Sequence, residues 1–111
     1  MMYSNIGEVS KMTDLSIDTL RYYEKEQLIS IKRGTNKIRK YYQEDIETIK
    51  FIKCLKSMGM EIKEIKQYVD LKSKGSSTID QRIEILENQI SIINQKAANL
   101  QSYVEMLKQT K

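Results

Sequence analysis

Thr13-Asp14-Leu15-Ser16-Ile17-Asp18-Thr19-Leu20-Arg21-Tyr22-Tyr23-Glu24-Lys25 is the stretch that decides the fold. Thr13 to Ser16 is turn-like, and Ser16 is suited to cap a helix whose apolar positions Ile17, Leu20 and Tyr23 recur every third residue. Just upstream, Asn5 stands three residues before Glu8, the spacing of a capping box, and Ile6, Val9 and Met12 follow at helical intervals. Two short helices around a tight turn make a helix-turn-helix, whose second helix can offer its first turns to the major groove of DNA.

Downstream, Leu28-Ile29-Ser30-Ile31 is a short strand-like run, Arg33-Gly34-Thr35-Asn36 has turn chemistry, and Ile38 to Tyr42 can return as a second strand. A hairpin wing is therefore expected. Ile46, Ile49, Ile52 and Leu55 mark a third helix ending near Gly59, and Ile62, Ile65 and Val69 a fourth, ending before Ser73-Lys74-Gly75-Ser76-Ser77. Beyond that linker, Ile79, Ile83, Leu86, Ile90, Ile93, Ala97, Leu100, Val104 and Leu107 alternate spacings of four and three, the seam of a coiled coil. A helix from about Thr78 to Lys108 would be roughly 46 Å long, too long for a small head to cover, so these nine residues are the expected dimer interface. A second stripe of Ile85, Ile92 and Met106, broken at Asn99, predicts a further contact. The expected fold is mainly α: a winged helix-turn-helix head over 1–72, a linker over 73–77 and a coiled-coil helix over 78–111.

The 111 residues leave room for one domain with an extension. With no His and a single Cys, the chain lacks the ligands for a tetrahedral zinc site, the pairs for a disulfide framework and any His-dependent triad. No enzyme, metal or cofactor is expected. No apolar run approaches the roughly 18 residues that span a bilayer and no signal-peptide layout is seen, so a cytoplasmic protein is expected. The net charge is only +4, yet Lys32, Arg33, Lys37, Arg39 and Lys40 share residues 31–41 with no Asp or Glu. Nucleic acid is the expected partner of this strip. A solvated loop and a membrane surface are the alternatives.

On the second helix the candidate DNA contacts are Ser16, Ile17, Asp18, Thr19, Arg21 and Tyr22. Ile17 is the poorest of these, because its spacing with Leu20 reads as core. Arg21 suits a phosphate or a guanine edge and Tyr22 a phosphate oxygen; the structural alternative pairs Arg21 with Glu24 and part-buries Tyr22. Asp18 suits the helix N-terminus or a cytosine amine. In the wing, Arg33, Asn36, Lys37, Arg39, Lys40 and Tyr41 are positioned for a flanking groove or backbone. Lys11, Lys56 and Lys63 could clamp phosphates or merely solubilise.

The runs Ile6-Gly7-Glu8-Val9-Ser10-Lys11 and Ser16 to Lys25, with Asn36, Arg39, Tyr41 and Asp45-Ile46, resemble the MerR family of bacterial transcription regulators. Leu20-Arg21-Tyr22-Tyr23-Glu24 is the most specific part of the match. The resemblance implies a homodimer whose long helices pair antiparallel, a near-palindromic double-stranded promoter operator, and RNA polymerase holoenzyme at that promoter. It also implies regulation by bending and untwisting the DNA, a form of indirect readout. Three departures stand out: Lys37 and Ile38 replace a Gly and an aromatic after the wing Asn, Tyr42 replaces a Ser or Thr cap, and a Pro after the recognition helix is missing.

Metal sensors of the family place Cys near the end of the dimer helix, where Leu100 to Lys111 has neither Cys nor His. Cys54 stands, by position, where the reactive-carbonyl-responsive branch has its single Cys. Lys50, Lys53 and Lys56 could favour its thiolate, while packing beside Ile52 and Leu55 is the structural alternative. The rivals to a carbonyl-responsive activator are a ligand-free regulator or repressor, an architectural or recombination accessory protein that bends DNA, and a coiled-coil adapter. The heptad seam disfavours the accessory protein, and the basic wing disfavours the adapter.

Overall fold

A computed structural model describes residues 2–110; Met1 and Lys111, the outermost residues of the expected head and coil, lie outside the described residues. The elements run α1 (Ile6–Thr13), α2 (Ile17–Lys25), β1 (Lys32–Arg33), β2 (Arg39–Lys40), α3 (Gln43–Ser57), α4 (Ile62–Ser73), a 3-10 turn (Ser76–Thr78) and α5 (Ile79–Gln109). The chain forms two compact units, which divide between Val69 and Asp70, inside α4 and a few residues before the expected linker.

In the first unit α1 begins with both halves of the capping box. The Glu8 N–H donates to Asn5 Oδ1 at 2.8 Å and the Asn5 N–H to Glu8 Oε1 at 2.9 Å, an arrangement whose cap is typically worth about 1 kcal/mol. Asp14, in the left-handed region at φ 57°, ends the helix. Ser16 then caps α2 by accepting from the Thr19 N–H at 3.0 Å. The turn between them is pinned from afar, since Lys53 on α3 donates its Nζ to the Thr13 carbonyl at 2.8 Å. Such a cation at a helix C-terminus satisfies a carbonyl the helix leaves open and complements the dipole.

The hairpin is shorter than the sequence predicts. Leu28, Ile29 and Ile31 are buried in irregular chain, and pairing begins only at Lys32. Burial of three residues in four, rather than of alternate ones, marks this run as core filler beneath the wing. Lys32 pairs with Lys40 and Arg33 with Arg39 across the antiparallel strands. The Gly34 N–H closes the hairpin onto the Ile38 carbonyl, with Lys37 at φ 64°. Lys37 thus adopts, with a Cβ, the left-handed conformation for which a Gly is the natural residue. The N-terminal chain adds to the wing, because Ser4 and Tyr41 exchange backbone hydrogen bonds of 2.8 and 2.9 Å.

Tyr42 precedes α3 and makes no side-chain cap. Its own N–H is instead accepted by the Asp45 carboxylate at 2.9 Å, half of a capping box. Ile46, Ile49, Ile52 and Leu55 are all buried along α3, and α1 packs on both α2 and α3. Val9, Leu20, Leu28, Ile49, Ile52, Met60 and Ile65 are the fully enclosed aliphatic centre.

The second unit holds the last turn of α4, the 3-10 turn and α5. The Thr78 hydroxyl lies 2.7 Å from the Leu71 carbonyl oxygen and 2.8 Å from that of Gly75, and it accepts from Arg82 Nε at 3.1 Å. This knot ties the end of α4 to the start of α5, so the expected linker is a hydrogen-bonded connection with Gly75 at φ 91°. α5 is one unbroken helix of 31 residues. Its seam is open: Ile79, Ile83, Ile90, Ile93, Ala97, Leu100, Val104 and Leu107 are exposed and Leu86 half-buried. No described helix is long and apolar enough to cross a membrane.

Gln27, just after α2, also sits in the left-handed region, at φ 62°. Gln27→Gly should relieve about 0.5–1 kcal/mol of this strain after the entropy cost of glycine is subtracted. We expect a higher melting temperature by circular dichroism; an unchanged or lower one would contradict the assigned conformation.

Candidate nucleic-acid interface

α2 divides its residues cleanly. Leu20 and Tyr23 are buried in the head, whereas Ser16, Asp18, Arg21 and Tyr22 are exposed on the opposite side. Thr19 is half-buried with its hydroxyl 2.9 Å from that of Ser16. Ile17, whose spacing reads as core, is exposed instead, at the first position of the helix. Arg21 does not pair with Glu24. It lies 3.9 Å from Asp18 one turn earlier, with both side chains open to water, a contact of little energetic weight. Tyr22 is exposed rather than part-buried.

The wing departs further from expectation, because its basic strip has an acidic partner that lies outside residues 31–41. Glu24, from α2, accepts Arg39 Nε at 2.7 Å and Arg33 Nη2 at 3.3 and 3.4 Å. On the other face of the hairpin, Lys40 Nζ lies 4.7 Å from the Tyr3 ring centre and Lys32 Nζ 5.8 Å from that of Tyr42. These are cation–π distances. The two rings meet at 6.0 Å. Asn36 and Lys37 are exposed at the wing tip, as is Ile38 beside them, and Lys11, Lys56 and Lys63 are exposed on the helices.

Tyr41 does not face DNA as its place in the basic strip predicts: its side chain is fully buried, since the residue pairs with Ser4 at the root of the wing and turns inward. Its hydroxyl meets no hydrogen-bonding partner among the described residues. Burial pushes the Tyr41 phenol above its ordinary pKa, partly countered by Arg39, and burial likewise raises Tyr23.

Cys54 is exposed on α3, so the packing alternative for it does not hold. The exposed thiol differs from the neighbours expected to be core, Ile52 and Leu55, which are buried. Of the three lysines considered near it, Lys53 is committed to the Thr13 carbonyl. Among the described residues no group of three or more His, Cys, Asp or Glu is placed to hold a metal ion.

Local spacing could not reveal Glu24, Tyr3 or Tyr42 as parts of this surface. Glu24 reaches Arg39 across fifteen positions and Arg33 across nine. One available signal was the pair of like charges at 32 and 40 flanked by tyrosines at 3 and 42.

The head and long helix have known counterparts. The family model for MerR HTH regulatory proteins matches residues 4–72. The chain belongs to the MerR family. A second MerR model, described as DNA binding, matches residues 46–110. Among MerR relatives, the transcriptional regulator AdhR of Bacillus subtilis is 41% identical over 86 residues, which cover 77% of this chain and 61% of AdhR. The chain thus spans about three-fifths of that relative's length. A MerR regulator from Bacillus thuringiensis of solved structure is 33% identical, with a TM-score of 0.78 and coverage of 97% of this chain and 96% of that one. HiNmlR, a MerR regulator lacking the sensor domain and solved bound to promoter DNA, is 29% identical, with a TM-score of 0.78 and coverage of 96% and 86%.

The Tyr41 hydroxyl offers a test of its placement. Removing a buried hydroxyl that lacks a partner is neutral or stabilising by about 1 kcal/mol, so Tyr41→Phe should melt at or above the temperature of the unaltered protein. A phenol whose folded pKa is raised contributes stability that is present below its unfolded pKa of about 10 and is lost as pH rises through the folded value. Alkaline denaturation above about pH 10 should therefore be less steep in Tyr41→Phe; an equal slope would place Tyr41 outside the core.

Proposed function

We propose that this chain is a homodimeric, non-catalytic transcription regulator of the cytoplasm that binds double-stranded promoter DNA and distorts it for RNA polymerase. The observation that carries the reading is the division of α2, which hides Leu20 and Tyr23 and leaves Asp18, Arg21 and Tyr22 open on a helix-turn-helix of the MerR family. HiNmlR, similar over almost the whole chain, is bound to promoter DNA, which supports the same partner here. Ser16, Ile17, Asp18, Thr19, Arg21 and Tyr22 meet the major groove, and Arg33, Asn36, Lys37 and Lys40 the flanking backbone. Lys11 is a phosphate clamp beside them.

The second copy is supported by the open seam of α5. An apolar row from Ile79 to Leu107 is longer than a soluble monomer ordinarily leaves in water, and its four-three spacing is the pattern of knobs-into-holes packing. The seam also disfavours an architectural or recombination accessory protein, whose typical form is the head alone. An exposed Cys54 favours a second reading, in which modification of its thiol by a reactive carbonyl changes transcription.

Three measurements decide these points. Arg21→Ala should weaken binding to a duplex of the gene's own upstream region by about 1–3 kcal/mol; undiminished affinity in fluorescence anisotropy would remove α2 from the groove. Ile90→Glu with Leu100→Glu should shift sedimentation from dimer to monomer, whereas a dimer that persists would remove the seam from the interface. Run-off transcription with formaldehyde or methylglyoxal should rise with the unaltered protein and not with Cys54→Ser. An equal rise in both would end the sensor reading.

A further inference from the structure

We infer that Glu24 is the positioning residue of the wing, holding Arg39 permanently and leaving Arg33 as the wing arginine that passes to a DNA phosphate. The inference rests on the DNA-binding reading above and divides two residues that the sequence treats alike. Arg33 and Arg39 are cross-strand partners and reach one carboxylate, but not equally. Arg39 Nε sits 2.7 Å from Glu24 Oε1, and the two side chains are only 23% and 20% exposed. Arg33 is 42% exposed, holds the same carboxylate at 3.3 Å or more, and reaches the wing-tip carbonyl of Lys37 with Nη1 at 3.2 Å.

The exchange is therefore one-sided. If Arg39 left for a phosphate, the largely enclosed Glu24 would lose its short charge-assisted bond and face an incoming anion with only the longer Arg33 contacts. If Arg33 leaves, Arg39 still neutralises Glu24, and the guanidinium gains a phosphate oxygen on its open side. Because Glu24 lies on α2, one turn from Arg21, the same carboxylate sets the wing at a fixed place relative to the groove-facing helix. Arg39 then acts on binding through geometry and not through its own charge at the DNA.

The test uses the full chain, a duplex of the gene's own upstream region, and affinity measured against KCl, with thermal melting in parallel. Arg33→Ala should lower the salt slope by about 0.9, one phosphate contact, with little change in melting temperature. Arg39→Ala should leave the slope unchanged while weakening binding by the same factor at every salt and lowering the melting temperature. Glu24→Gln should match it in both respects, and the double variant should be no worse than either single. Arg39→Gln replaces Arg39→Ala if the latter does not fold. A slope lowered by about 0.9 in the Arg39 variant, or additive losses in the double variant, would overturn the inference. If the unaltered protein shows no salt-dependent binding, the DNA-binding reading fails and the role of Arg33 with it. Melting then still judges the pairing of Glu24 with Arg39: non-additive losses support it and additive losses overturn it.

Discussion

Four cations face one another in two cross-strand pairs on a hairpin whose strands are two residues each. Like charges directly opposite destabilise a ladder, and a hairpin this short does not persist in water unsupported. The wing exists because each of its faces has its own compensation. Glu24 stands between Arg33 and Arg39 on one face, and the tyrosine rings at 3 and 42 receive Lys40 and Lys32 on the other. Neither source is part of the hairpin. The carboxylate comes from α2 and one ring comes from the N-terminal chain, which the Ser4–Tyr41 bridge brings alongside. Three separated segments must therefore dock together before the wing has a shape.

The same logic of distant support runs through the helix-turn-helix. The capping box of α1 and the Ser16 cap of α2 are local, but the turn between them takes a hydrogen bond from Lys53, forty positions away. Helix α3 thereby does two things at once: its buried row of Ile46, Ile49, Ile52 and Leu55 fills the core, and a lysine beside that row steadies the turn that aims α2. The opposite flank of the same helix leaves Cys54 in water.

How much of this was legible in the sequence follows from the range of each interaction. Caps act over three residues and apolar stripes over three or four, so the five helices, the turn at Asp14 and the seam of α5 could be read from spacing alone. The strand over 28–31 could not, because a short apolar run looks the same whether it pairs or simply fills space. Tyr41 misled for a related reason. It ends a basic run, and only the bridge to Ser4 shows which way it turns. The partners of Arg33 and Arg39 were hidden because a strip free of acidic residues along the chain need not be free of them in space. Family membership was legible in Leu20-Arg21-Tyr22-Tyr23-Glu24, and the last residue of that run, which spacing offers only as a partner for Arg21, pairs instead with the two wing arginines.

The unbroken α5, with all of its apolar row but Leu86 exposed, has a genetic consequence under the proposed dimer. Pairing is carried by one helix and groove contact by another region, so a mutation that damages the head leaves the capacity to pair intact. A damaged copy would associate with sound ones and, at equal expression, leave only about a quarter of the dimers wholly sound, since association follows mass action. Head lesions should behave as dominant alleles in a cell carrying both copies, and lesions in the seam as recessive ones.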